Sequence, residues 1–371
     1  MSGLYFHIPF CRKACTYCDF HFSTSLGAQD RVLDAMTKEL NERASEFGGD
    51  SVGTIYFGGG TPSLIDPARI ATFIQQAHAL FRVVDAEITL EANPDDITPE
   101  RLDAWKAAGI TRISLGTQSF REDRLKWMGR AHTATQALES IAAIARAGFA
   151  SWTIDLIYGL PEMTLAEWDE QLTIALDHGM PHLSAYGLTV EPRTALAHQV
   201  KQGFIVPGDD EAQSAQFDRL MGRMKAAGLV HYEISNFGRE GHFSRHNTSY
   251  WNGTPYLGLG PSAHSFNGNV RRWNVSNNQR YLVSVEGGTA FSEMETLTPS
   301  QRTNELLLTG LRTQWGVDLD ALPLDVRMVN ERTIVSYHDR GMLERHGARL
   351  VLTERGRHFA DRIAMDLFVT E

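Results

Sequence analysis

Cysteine is scarce in this chain. Its 371 residues hold three, and Cys11, Cys15 and Cys18 all fall within eight positions of one another. An odd, clustered set builds no disulfide framework; in a reducing compartment it points to metal binding or catalysis. Long apolar runs are missing as well, since no stretch approaches the roughly 18 residues a membrane helix needs. There is no basic excess: 35 Lys and Arg stand against 45 Asp and Glu, for a net charge of −10 and a pI near 5.8. That balance argues against a general nucleic-acid binder. The opening MSGLYFHIPF lacks the basic n-region and apolar core of a secretion signal, so a cytoplasmic location is expected. The remaining composition, 42% hydrophobic and 22% charged, is that of a globular protein with room for one large domain or two ordinary ones.

What is present is a repeated alternation. Apolar runs at 4–8, 53–57, 87–91, 112–116, 151–157 and 182–188 read as strands. Amphipathic stretches near 28–46, 66–80, 98–108, 134–147, 164–178 and 210–227 read as helices, with Leu138, Ile141, Ile144 and Ala145 on one face. Thr98 and Pro99 signal a helix start, and Gly109 and Gly148 signal ends. Such alternation implies an α/β fold of parallel strands with right-handed crossovers, either a partial barrel or a doubly wound sheet. The pattern changes after residue 237. Residues 245–266 (RHNTSYWNGTPYLGLGPSAHSF) are rich in Gly, Asn and aromatics and read as irregular. From 298 onward helices return, ending in a helix–hairpin–helix order of the winged-helix kind. A core domain over 1–237 and a second over 238–371 are expected.

In parallel α/β folds chemistry gathers where strands end. Here the cysteines and FGGGTP (57–62) follow the first two strands, Glu91 ends the third, the fourth runs into Gln118, and Asp155 and Tyr186-Gly187 lie in the fifth and sixth, all at or near the same edge. Their agreement predicts one shared pocket. Cys-x3-Cys-x2-Cys offers three soft thiolates, suited to zinc or iron–sulfur. With His21 the run also fits a closed zinc site of four ligands. A [4Fe–4S] cluster on three cysteines leaves one iron for a non-protein ligand. Gly58, Gly59 and Gly60 permit close backbone approach to a ligand. No Gly-Lys-Ser/Thr follows, which excludes a nucleotide P-loop.

These residues resemble the radical S-adenosylmethionine (AdoMet) family, whose hallmark is Cys-x3-Cys-x2-Cys with an aromatic, here Tyr17, before the third cysteine. YFHIPFC, YFGGGTPS, LEANP, RISLGTQSF and DLIYGLP are similar to the branch related to oxygen-independent coproporphyrinogen III oxidase, and the likeness spans the chain. The resemblance implies a partial (β/α)6 TIM-like barrel with a smaller, mostly helical, winged-helix-like C-terminal domain. It implies that Cys11, Cys15 and Cys18 hold a [4Fe–4S] cluster and that AdoMet chelates the fourth iron. Carried over, Tyr5, Tyr17, Gly58, Gly59, Gly60, Glu91, Gln118, Arg130 and Asp155 would line the AdoMet site. Arg130 would pair with the carboxylate of AdoMet, and Asp155 would accept from ribose hydroxyls. In family enzymes one electron from the cluster splits AdoMet into methionine and a 5′-deoxyadenosyl radical.

Within the branch, two departures turn the expectation from the porphyrinogen enzyme toward its heme-chaperone members. That enzyme carries a further cysteine two positions beyond the third, where this chain has Phe20. It also has an extension before the first motif, whereas this chain starts four residues before Tyr5. RHNTSYW matches the His-Asn-x-x-Tyr-Trp motif of the chaperone members, which implies His246 as a heme ligand beside Tyr250 and Trp251. His264 is a weaker candidate, and Arg271-Arg272 offers charge for propionates. The expected function is heme binding and transfer to acceptor apoproteins, cytosolic or membrane-bound, with a one-electron donor if radical chemistry occurs. Oxidative decarboxylation of coproporphyrinogen III, a radical AdoMet enzyme of other substrate, and the zinc site are the alternatives.

Overall fold

The computed structural model describes residues 1–47 and 51–369. Six strands lie side by side in chain order and all parallel: β1 (Ser2–Ile8), β2 (Val52–Gly59), β3 (Val83–Ala92), β4 (Arg112–Gln118), β5 (Ser151–Tyr158) and β6 (His182–Gly187). Helices α1 (Gln29–Arg43), α2 (Pro67–Leu80), α3 (Pro99–Ala108), α4 (Glu122–Met128), α5 (Ala134–Ala147) and α6 (Leu165–Asp177) supply the crossovers. A doubly wound sheet reverses its strand order partway, and this one does not. The sheet is a partial barrel, which resolves the choice the alternation left open.

Strand periodicity sorts the side chains. Leu4, Phe6 and Ile8 of β1 are fully buried, with Phe6 4.9 Å from the Phe73 ring of α2. The alternate residues Tyr5 and His7 face the barrel interior, where Tyr5 meets Tyr56 of β2 at 6.1 Å. The same split puts Ile55 and Phe57, Ile88 and Leu90, and Ile113 and Leu115 in the apolar core. Tyr56, Thr89, Glu91, Arg112, Ser114, Thr153 and Asp155 line the polar interior. Outward faces are apolar because helices cover them; inward faces are polar because they build a site.

After α7 (Ala195–Lys201) and α8 (Asp210–Ala226), the antiparallel pair β7 (Val230–Glu233) and β8 (Asn236–Gly238) extends the sheet beyond β6. The sheet also grows at its other edge. Residues 245–266 are not irregular as expected: they form α9 (Arg245–Trp251), β9 (Tyr256–Leu259) and β10 (His264–Phe266). β9 runs parallel to β1, and β10 is followed by β11 (Val270–Asn274), α10 (Asn278–Gly287) and β12 (Ser292–Thr296). The glycine content that hid β9 is a packing need, since a Cβ on Gly258 would overlap the His264 carbonyl. Residues 238–296 thus share the barrel's sheet, beyond the domain boundary drawn at 237.

A separate hydrophobic core, including Leu307, Leu311, Ile334, Leu350 and Ile363, holds the C-terminal region. It contains α11 (Pro299–Leu311), β13 (Val317–Asp318), α12 (Leu324–Asp339), the hairpin β14 (Leu343–His346) and β15 (Arg349–Leu352), α13 (Glu354–Arg357) and α14 (Ala360–Asp366). The helix–hairpin–helix order is the expected one.

Candidate functional site

The strand ends meet as the sequence predicts. Cys11, Cys15, Tyr17, Cys18, Gly59, Gly60, Glu91, Gln118, Arg130 and Asp155 line one cavity of about 380 Å³. The cysteine loop after β1 is stitched down by its backbone: Cys11 N donates to Ser23 O at 3.0 Å, Ser23 N to Pro9 O at 2.9 Å and Thr16 N to Met128 O at 3.0 Å. Arg12 adds ion pairs to Asp95, at 2.9 Å, and to Asp96. The glycine run is needed for this stitching. Gly60 N donates to Ile8 O at 2.8 Å, and a Cβ there would stand 2.7 Å from Phe10 O. Gly59 sits at φ +107°, with the His7 ring where a Cβ would go.

Arg130 ties the cavity wall together. It donates to Cys15 Sγ at 3.4 Å, to Asn93 Oδ1 at 2.6 Å and to Gly116 O at 2.7 Å. Its buried Nε has no partner among the described residues. Gln118 closes β4 at φ +67°, the left-handed region that few non-glycine residues adopt. Thr61 donates to Cys11 Sγ at 3.4 Å and accepts from Asn93 Nδ2 at 3.2 Å. Asn93, Thr61 and Gly116 were not singled out from sequence, although Asn93 lies within the LEANP motif and two residues beyond Glu91. Its signal was present at a strand end.

Burial governs the electrostatics. It pushes the Cys18 thiol up to about 12 and raises Cys11 as well. It also lifts Asp155 to about 6 and Glu91 to about 7, despite the hydroxyls of Ser184 and Ser114 on Asp155 and of Tyr56, 2.8 Å from Glu91. The open part of Glu91 faces the cavity. A raised carboxyl means that the folded state holds a proton which the unfolded chain sheds between its ordinary 4.5 and about 7, so stability falls as pH rises through that window. Glu91→Gln removes this loss. In the absence of ligands its thermal midpoint is expected to exceed that of the unaltered protein by roughly 2–4 °C at pH 8 and to match it at pH 4.5. Circular dichroism melts at both pH values check this; equal midpoints at pH 8 would mean that Tyr56 and the Gly59 amide fully compensate the charge.

Three expected site residues do not line this cavity. Tyr5 and Gly58 lie beneath it in the barrel interior, Tyr5 with its hydroxyl 3.1 Å from His7 Nδ1. His246 lies lower still and is fully buried. Its Nδ1 is hydrogen-bonded to Thr54 Oγ1 and its Nε2 to Tyr250 Oη, each at 2.8 Å. Its ring stacks on Tyr56 at 4.8 Å. Burial lowers it to about 3, so it is neutral, and neither nitrogen faces a ligand in this arrangement. The motif that carries it plugs the floor of the barrel.

Other candidates separate. His21 turns to Asn278 Oδ1 at 2.8 Å, away from the cysteines. Among the described residues no three His, Cys, Asp or Glu side chains are placed to hold one metal ion. Thiolates that bind different corners of a cluster need no common point. His264 is exposed and stacks on Trp273 at 6.4 Å. Arg271 and Arg272 point to opposite faces of β11, Arg271 to Glu305 at 3.0 Å and Arg272 to Glu46 at 2.8 Å. Phe20 is 66% exposed at the cavity mouth.

The Radical SAM superfamily matches residues 5–173, and the HemN C-terminal domain matches 297–359. The heme chaperone HemW of Mycobacterium tuberculosis is 37% identical over 98% of this chain and 94% of its own length. HemW of Bacillus subtilis is 32% identical, with 85% of each chain covered. The solved structure of coproporphyrinogen III oxidase (HemN) from Escherichia coli, a radical SAM enzyme, shares the fold with a TM-score of 0.85 at 24% identity, over 99% of this chain and 90% of that one. No described helix is long and apolar enough to cross a membrane. Cysteine triad, strand-end cavity and full-length likeness agree: this chain belongs to the HemW family of the radical SAM superfamily.

Proposed function

We propose that this chain binds heme and transfers it to acceptor proteins, on a scaffold that holds a [4Fe–4S] cluster and AdoMet. The likeness to a named heme chaperone over 98% of the chain is the observation that carries this reading. The cavity fits the cofactors. Cys11, Cys15 and Cys18 are its only thiols and all line it. Two of them receive hydrogen bonds, from Thr61 and Arg130. The unpartnered Nε of Arg130 suits a carboxylate, and Asp155 and Ser114 suit ribose hydroxyls. Ile157 and Leu188 give the cavity apolar walls that exclude water. When bound, cluster and AdoMet supply one-electron chemistry. Handing over heme requires an acceptor protein, and reduced cysteines suit the cytoplasm.

Axial ligation by His246 rests on its motif, and it requires Tyr250 to release Nε2. The test is an anaerobic hemin titration of the reconstituted protein, following the Soret band for the unaltered chain and His246→Ala. Saturable binding with a changed spectrum in the variant is expected. A variant spectrum identical to that of the unaltered protein removes the ligand role, and no saturable binding by either removes the chaperone reading. The complete cavity keeps coproporphyrinogen III decarboxylation as a second reading. Incubation with that porphyrinogen, AdoMet and reductant, giving no decarboxylated product while the cluster is intact, would eliminate it.

A further inference from the structure

A second cavity, of about 700 Å³, opens between the β9–β11 edge of the sheet and α11 of the C-terminal region. None of its lining residues belongs to the cluster cavity. Its walls include four aromatic rings: Tyr250, Trp251, Tyr256 and Phe266. Tyr250 and Tyr256 meet edge to face at 4.7 Å, and the Arg312 guanidinium lies 5.4 Å from the Trp251 ring. Three guanidiniums also line it. Arg271 pairs with Glu305 at 3.0 Å, Arg349 lies 3.9 Å from Asp318, and Arg302 donates to the neutral Asn269 Oδ1 at 2.6 Å, with no carboxylate paired to it among the described residues. Three cations against two carboxylates leave the cavity positive in a chain of net charge −10.

We propose that this cavity is the binding site for a flat, apolar tetrapyrrole bearing carboxylates at its edge, with Arg302 and Arg271 receiving the carboxylates and the aromatic walls receiving the ring face. The volume lies within the range of pockets that enclose drug-sized ligands. Aromatic rings and guanidiniums in one cavity match a macrocycle that is apolar over its plane and carries anionic groups at its edge. Tyr250 stands between this cavity and His246, since it lines the one and is hydrogen-bonded to the other. That position explains how a motif whose histidine is sealed in the barrel can still serve a ligand: its next two aromatics, Tyr250 and Trp251, reach the surface that the ligand touches. The assignment rests on the heme-binding reading above.

Arg302 is exposed and Leu306 is 39% exposed, so substitutions at both sites leave the fold intact, which thermal melts verify. Hemin and metal-free protoporphyrin IX are titrated into the full-length protein, Arg302→Glu and Leu306→Trp, the last of these filling the cavity. Both porphyrins are expected to bind the unaltered protein, and each substitution is expected to weaken both by about tenfold or more. Variants of unchanged melting behaviour that bind as tightly as the unaltered protein would overturn the site while leaving the chaperone function standing. Binding of hemin without any binding of protoporphyrin would overturn recognition through ring face and carboxylates. Binding of neither porphyrin by the unaltered protein would instead remove the heme-binding reading itself.

Discussion

Cys18→Ala is expected to leave a folded protein unable to hold the proposed cluster: after anaerobic reconstitution, iron and sulfide should fall from about four each per chain to a tenth or less. The fold survives because the cysteine loop is held by backbone hydrogen bonds from Cys11, Thr16 and Ser23 and by the ion pairs of Arg12, none of which uses the Cys18 side chain. The cluster does not survive because the described residues around it supply no replacement thiolate, and His21, the nearest histidine in sequence, is engaged with Asn278. Hemin binding by the same variant should be unchanged, since the second cavity shares no lining residue with the first. Iron and sulfide analysis with a parallel Soret titration reads both outcomes. Retention of half the iron would show that another side chain can take the place of Cys18.

Glu39→Ala is expected to cause the largest loss of stability of any substitution considered, about 3–5 kcal/mol. Glu39 is fully buried and accepts four hydrogen bonds. Arg43 at 2.8 Å and Asn274 Nδ2 at 2.7 Å reach one oxygen; Gly260 N at 2.8 Å and Tyr281 Oη at 2.6 Å reach the other. Removing the carboxylate takes the acceptor from Gly260 N and Tyr281 Oη, and leaves the buried Arg43 Nη1 and Asn274 Nδ2 with only the carbonyls of Gly258 and Gly260, each at 2.9 Å. Arg43 keeps Glu46, at 2.9 Å, which offsets part of the loss. The loss is a large share of the stability usual for a domain, and it should lower the thermal midpoint by roughly 5–10 °C. Because Gly260, Asn274 and Tyr281 anchor the segment that carries Tyr256 and Arg271, hemin affinity should fall as well. Denaturant unfolding of Glu39→Ala beside Glu39→Gln tests this. A loss under about 1 kcal/mol for the alanine variant would mean that water fills the site and satisfies its donors.

The contrast between these two sites shows what a sequence reader can and cannot see. Cys11, Cys15 and Cys18 are neighbours in the chain, Glu91 and Gln118 lie at the ends of recognisable strands, and Asp155 lies within one. Parallel pairing puts the C-terminal end of every one of these strands at the same edge of the sheet, so position along a strand is already position in the pocket. Asn93 is legible by the same logic, two residues beyond Glu91 at the end of β3. Glu39 was not legible. Its partners Gly260, Asn274 and Tyr281 lie 221, 235 and 242 residues away, and a glutamate on an amphipathic helix reads as a solvated residue until something covers it.

The sequence by itself determined the parallel α/β class, the six strands and the cavity at their ends. Each follows from local periodicity and from the parallel pairing that alternating strands and helices imply. Only the tertiary structure decided that strand order stays sequential and makes a partial barrel, since pairing order is not written in any one strand. It alone showed that residues 238–296 extend the same sheet, because β9 pairs with β1 across the length of the chain. And it alone turned His246 inward beneath Tyr56 and moved Tyr250 and Trp251 to a second cavity. A motif names residues that are close in the chain, whereas the helix that carries them gives each its own direction, and the surrounding packing decides which ones a ligand can reach.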